Sequence, residues 1–231
     1  MQNLIRLELN RLSLKPHIVG LIIANIVILF LCVFVSIFLS VATDFLTMAG
    51  LPSIRLDTIA IATMLVRATL IVWQAVLISQ VIIEEYRKKT IDLLYTYPVN
   101  RCKLIFAKLV LVGGIMLTFH AISNVFHHTV IFFLSTQIDF VTYSFENISI
   151  QILITLSTIF LSFIPLSIGI IKKSSIATIV SSIIIVTFAS NSQGSTAGLI
   201  SIPIIAVTLG LVGVIISILT VKKMLTSDLC N

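Results

Sequence analysis

Four polar residues inside one apolar stretch offer the most concentrated chemistry in this sequence: His120, Asn124, His127 and His128. Their spacing is i, i+4, i+7 and i+8, so on a helix all four fall near one face. Polar side chains within an apolar helix turn toward a bundle interior or a cavity. Three readings fit the pattern: a polar lining for a substrate path, a metal site, or hydrogen bonding between helices. Gln74 and Gln80, in a different apolar run, are candidates for the same lining. Charge concentrates elsewhere, in the run Glu84, Glu85, Tyr86, Arg87, Lys88, Lys89. Phosphate chemistry is missing. No G-x-x-x-x-G-K-[ST] loop occurs to cradle a nucleotide, and Lys173-Ser174 lacks the glycine spacing. By that route the chain hydrolyses no ATP, and no catalytic residue is assigned.

The elements that hold these residues follow from composition. Apolar residues make up 58% of the 231 and charged residues 10%, with a mean hydropathy of +1.17. Soluble chains are roughly 45–50% apolar and about 25% charged. No water-soluble fold of this length hides so much apolar surface. The bilayer must be the solvent, which leaves helices or a closed barrel. A barrel alternates in segments of roughly ten residues; these apolar runs are long and unbroken, so helices are expected. The net charge of +6 is not a nucleic-acid footprint, because the basic residues sit in short clusters between apolar runs. Cys32, Cys102 and Cys230 form an odd set with no metal spacing, so neither a disulfide framework nor a metal site is expected of them.

Residues 1–16 carry Arg6, Glu8, Arg11 and Lys15 among leucines that fall on two faces. They read as an interfacial segment, and Pro16 is placed to open the next helix. The apolar run 18–39 exceeds the roughly 7–15 residues of a signal-peptide core, so it is read as an uncleaved first span despite the Ser40-Val41-Ala42 sequence. Spans are expected over 17–41, 59–83, 104–134 and 148–171, the last kinked at Pro165. A fifth, over 176–189, is short for a full crossing. In the last apolar run, 197–221, the first part reads as a re-entrant or half helix and the true span starts near Pro203. Arg67 lies near the membrane interface opposite Glu84, where an arginine can snorkel.

Every Lys and Arg except Arg55 and Arg67 falls in segments 1–16, 84–108, 172–175 and 222–231. The positive-inside rule makes those segments, and both termini, cytoplasmic. The expected fold is therefore an all-α integral membrane protein: one transmembrane domain over 1–231, six spans, and a re-entrant segment between spans five and six. The isoleucine-rich composition and the lack of a sorting signal fit a bacterial inner membrane.

Segment 84–101 joins spans two and three. Thr90 to Tyr97 reads as a short amphipathic helix stopped by Pro98, with Ile91, Leu94 and Tyr95 on one face. Asn100 can cap the start of span three. Such a helix on the cytoplasmic surface has the form of a docking element for a groove on a soluble partner. The alternative is an ordinary basic loop that sets topology.

On these residues the sequence resembles the small permeases of type-2 ABC exporters, those of bacitracin, lantibiotic and phenol-soluble-modulin systems. The resemblance rests on Glu85-Tyr86-Arg87, on Thr90 through Leu94, on Tyr97-Pro98 through Arg101, and on Ala107-Lys108. It implies a cytoplasmic coupling helix that docks on an ATPase through Glu84, Glu85, Tyr86, Arg87, Thr90, Ile91, Asp92, Leu94, Tyr95, Pro98 and Arg101. It further implies two copies of a separate ATPase subunit, which would bind the ATP and Mg; no cofactor is bound by this chain. A second permease copy or a sister permease would complete the path, and the cargo would be amphipathic peptides or hydrophobic drugs. Gln74, His120, Asn124, His127 and His128 then become the candidate path.

A rival from another class is the CAAX-type intramembrane protease. Glu84-Glu85 with Lys89, and His120 with Asn124, are similar to that family's E-E-x-x-x-R and H-x-x-x-N motifs. A carboxylate would activate water while histidines polarise a carbonyl. Lys89 replaces the arginine, however. His120 also lies about 18 Å along the helix from Lys108 at 1.5 Å per residue, far from a carboxylate at the membrane edge.

Overall fold

The computed structural model describes residues 2–49, 57–87, 101–144, 147–190 and 198–227. Among them the secondary structure is entirely helical. A short helix α1 (Gln2–Arg11) leads into α2 (Leu14–Met48), which runs unbroken through Ser40 to Ala42. Next come α3 (Thr58–Arg87) and α4 (Arg101–Ser135). α5 (Ile148–Leu161) and α6 (Ile164–Lys172) together make one crossing. α7 (Ser175–Ala189) and α8 (Pro203–Ser227) complete the bundle.

Five segments are long and apolar enough to cross a membrane: α2, α3, α4, α5 with α6, and α8. α7 has 15 residues, or about 22 Å at 1.5 Å per residue, short of a hydrocarbon core of roughly 30 Å. The expected order is thus present, five helices of full length and one short. α8 starts at Pro203, where the true span was expected. Ahead of it stands a short turn of 3-10 helix, Leu199–Ser201, entered through Gly198 at φ +102°. Of the expected half helix only Ala197 lies outside the described residues, together with the polar stretch 191–196 before it.

α3 is the hub. It packs on α2, α4 and α7 and touches α5 and α6. Ala62, Val66, Leu70, Ala75, Leu77 and Ile78 are buried along it. α8 lies closest against α5, because Gly210 and Gly213 leave room for the α5 backbone. A Cβ at Gly213 would stand 2.3 Å from the Phe160 carbonyl oxygen, and one at Gly210 3.0 Å from Ser157 Cα. Small residues let two membrane helices approach at backbone distance.

The expected kink at Pro165 is a break. α5 ends at Leu161 and α6 restarts at Ile164, with Pro165 in its first turn, where its missing N–H leaves no bond unmade. Lys173 closes α6 in the left-handed region at φ 47°. The Ser174 hydroxyl then accepts from the Ala177 N–H at 3.4 Å to cap α7.

Outward, α2 exposes Ile22, Ile26, Phe30, Phe34 and Phe38, and α8 exposes Ile204, Leu211, Ile215 and Leu219. Faces this apolar are stable against lipid or another apolar chain, not water. The chain is a multi-pass membrane protein.

Arg67 does not snorkel outward. It is buried, and its Nη1 donates to Ser201 Oγ at 3.4 Å. The turn ahead of α8 folds back over α3 and supplies a polar partner, Ser201, to the arginine that the sequence alone placed at an interface.

Candidate functional site

Where α1, α3 and α4 meet, four charged side chains form one knot. Lys108, on α4, is almost completely buried (2% exposed). Its ammonium lies 2.5 Å from Glu85 Oε2, 3.3 Å from Glu8 Oε1, and 3.2 Å from the Val81 carbonyl oxygen, to which it donates. The second oxygen of Glu85 accepts from Arg11 Nη1 at 2.6 Å. Glu85 therefore spends both oxygens inside the chain, and α1 is held to the bundle by an ion pair at each of Glu8 and Arg11. Breaking one member of such a buried set leaves an uncompensated charge. A cleft of about 290 Å³ opens beside the knot, lined by Glu8, Arg11, Ser13, Gln80 and Glu84 among others.

Local backbone geometry makes the knot. Ser79–Ile83 is a single π turn within α3. Such turns are rare and often lie at functional sites, because the added residue re-aims the side chains beyond it. Here the turn contains the Val81 carbonyl that Lys108 uses, and the residues just past it are Glu84 and Glu85. Glu84 is half-buried, Tyr86 packs against the main apolar cluster, and Arg87 is exposed. Thr90, Ile91, Asp92, Leu94, Tyr95 and Pro98 lie outside the described residues. Arg101 opens α4, and its side chain is likewise not among those described.

At the same end, Trp73 and Gln80 of α3 grip His17 of α2. An indole N–H can only donate, so Trp73 Nε1–H gives its hydrogen bond to His17 Nδ1 at 3.3 Å. Nε2 then carries the proton and donates to Gln80 Oε1 at 3.1 Å. Trp73 also presses on Gly20, where a Cβ would stand 2.4 Å from the indole Cη2. Gln80, a candidate for a path lining, bonds helix to helix and also lines the cleft beside the knot. His17 escaped the sequence reading because it looked like the polar start of a span.

The polar residues of the spans separate into two groups. Gln74 is fully buried: its Nε2 donates to the Ile159 carbonyl at 3.1 Å, and its Oε1 accepts from Ser162 Oγ at 2.6 Å. It staples α3 to the α5–α6 break. His120 and His127 are also buried, at 1% and 0% exposure. His127 donates from Nδ1 to the Ser123 carbonyl at 2.8 Å, which fixes its tautomer. Asn124 and His128 turn instead to a groove of about 470 Å³ between α4 and α5. His128 Nδ1 reaches the Tyr143 hydroxyl at 3.3 Å. At 100° per residue the four side chains fan over about 100°, so one nominal face serves two surroundings. No group of three metal-ligating side chains occurs among the described residues.

Residues 4–190 match the family model described as ABC-2 family transporter protein. The chain belongs to the ABC-2 family. It is 32% identical over 218 residues, 90% of this chain and 93% of the other, to a protein of Bacillus subtilis (strain 168) named "Uncharacterized protein YcbO". No solved structure matches.

As an ABC-2 membrane protein the chain is a transport subunit, not an enzyme. The protease reading finds no support in its geometry. Lys108 holds Glu85, and His120 stands about 18 Å further along α4 at 1.5 Å per residue, so the carboxylate and the imidazole share no site. Two features of this ABC-2 protein stand out among the described residues. One is the end where the knot anchors the roots of segment 88–100. The other is the groove at Asn124.

Proposed function

We propose that this chain is the membrane half of an ATP-driven exporter whose ATP is bound and hydrolysed, with Mg, by a separate subunit. The subunit docks on segment 84–101, one ATPase for each of two permease copies or for a permease and its sister. The observation that carries this reading is the knot of Glu8, Arg11, Glu85 and Lys108. It lies where α3 ends and α4 begins, at the two roots of the docking segment, and it ties in α1. A displacement of the segment then moves three helix ends together, as two-state domain motion driven by a ligand requires. Glu85 is here a brace within the permease, and the docking contacts fall to Glu84, Tyr86, Arg87 and the residues that follow. Cargo moves outward and is an amphipathic peptide or a hydrophobic drug, the class that suits access from lipid. The basic clusters support a cytoplasmic position for this end and for both termini, in a bacterial cell membrane.

The test is affinity purification of the tagged chain from its native membrane in mild detergent, wild type beside Asp92→Lys. An ATPase of the ABC class should co-purify in near-equal amount with wild type and be lost from the variant. If no ATPase accompanies the wild-type chain, the reading fails.

A further inference from the structure

We propose that the groove between α4 and α5 binds a neutral single-chain amphiphile, taken laterally from the half of the bilayer away from the basic end; that this ligand is cargo rests on the exporter reading above. α4 and α5 are joined at that end through residues 136–147 but pack on each other sparingly. They leave a groove of about 470 Å³, within the roughly 300–1,000 Å³ of small-molecule sites. It extends from Leu117 to His128, about 16 Å at 1.5 Å per residue.

Its lining is apolar, interrupted by Asn124 on α4 and Gln151 on α5. Among the described residues neither side-chain amide bonds to protein, whereas Gln74, Gln80 and Asn25 all do. An amide that faces hydrocarbon unpaired is costly. Each amide offers both a donor and an acceptor, so together they match esters, amides or hydroxyls. Among the described residues no Asp, Glu, Lys or Arg lines the groove, so a charged group placed there would meet no counter-charge from them. Of the acids at this end, Asp44 and Asp139 line a separate cleft. An acyl chain along Leu117 and Leu156, with its polar group between the amides, satisfies every one of these conditions.

The probe is a monoacylglycerol with a diazirine in its chain, photolysed with the full-length protein in lipid nanodiscs, and the adducts are mapped by mass spectrometry. Adducts should concentrate on 117–125 and 152–156 and be displaced by excess unlabelled monoacylglycerol. In Asn124→Leu/Gln151→Leu they should fall about tenfold, the effect of losing a hydrogen bond at each amide. The same variant should melt no lower than wild type, because it removes two unpaired amides. Adducts spread evenly over Phe30, Phe34 and the groove, and indifferent to the substitutions, would overturn the site. So would disulfide dimers of Ala121→Cys that exclude the probe, since the groove would then be an interface between copies. The exporter reading is judged separately, by ATPase co-purification, which the groove variant should retain.

Discussion

Lys108 and Glu85 meet 2.5 Å apart across the α3–α4 crossing, both nearly out of contact with solvent. Removing Lys108 leaves the buried Glu85 with the largely exposed Arg11 as its cationic partner in the knot. Lys108→Met should lower stability by about 3–5 kcal/mol, the range for a buried pair broken on one side. Glu85→Leu/Lys108→Met should recover much of that loss, because no buried charge of this pair is left alone. Melting in detergent, followed by size-exclusion chromatography, gives both numbers. A double variant as unstable as the single one would mean that the pair matters through Glu8 and Arg11 instead.

If the knot also transmits force, a stable double variant should still bind the ATPase but stimulate it less. Co-purification yield and cargo-dependent ATP hydrolysis, measured on the same preparation, separate docking from transmission. Normal stimulation would reduce the knot to a structural brace.

Gly213 and Gly114 make a paired prediction. A Cβ at Gly213 meets the Phe160 carbonyl at 2.3 Å, whereas one at Gly114 meets nothing within 4 Å. Backbone cannot yield as a side-chain tip can, so Gly213→Ala must push α8 off α5 and should cost several kcal/mol or prevent insertion of the pair. Gly114→Ala should be neutral, or stabilise by roughly 0.5–1 kcal/mol, because alanine favours helix. Expression level and melting temperature of the two variants provide the comparison.

Much of this architecture is legible in the sequence, for one physical reason. Lipid forces every backbone bond inside a helix, so apolar length alone marks α2, α3, α4 and α8, and prolines mark the break at Pro165 and the start at Pro203. Polar side chains are harder to place. Glu85 stood next to Glu84, and nothing in sequence distance tells which carboxylate a lysine on another helix will reach; a π turn made the choice. Arg67 looked peripheral because the turn that covers it, at Ser201, is remote in the chain. The four residues around His120 share a face by periodicity, but periodicity gives direction and not the neighbour that occupies it.

That distinction can be tested directly on Gln74 and Asn124, both candidates for a path from sequence. Gln74 uses both ends of its amide: it donates to the Ile159 carbonyl and accepts from Ser162. Gln74→Leu should then destabilise the α3–α5 contact by about 1–3 kcal/mol, the cost of leaving buried polar groups unpaired. Transport by the variant, normalised to folded protein, should match wild type. Asn124→Leu should do the reverse: unchanged or higher melting temperature, and altered transport per folded molecule. Both are isolated amide-to-leucine changes in membrane helices, so the difference between them reports only what each amide touches. Equal losses of stability would mean that the groove amide has a partner in the bundle. Altered transport by Gln74→Leu at full stability would mean that the path runs through α3 after all.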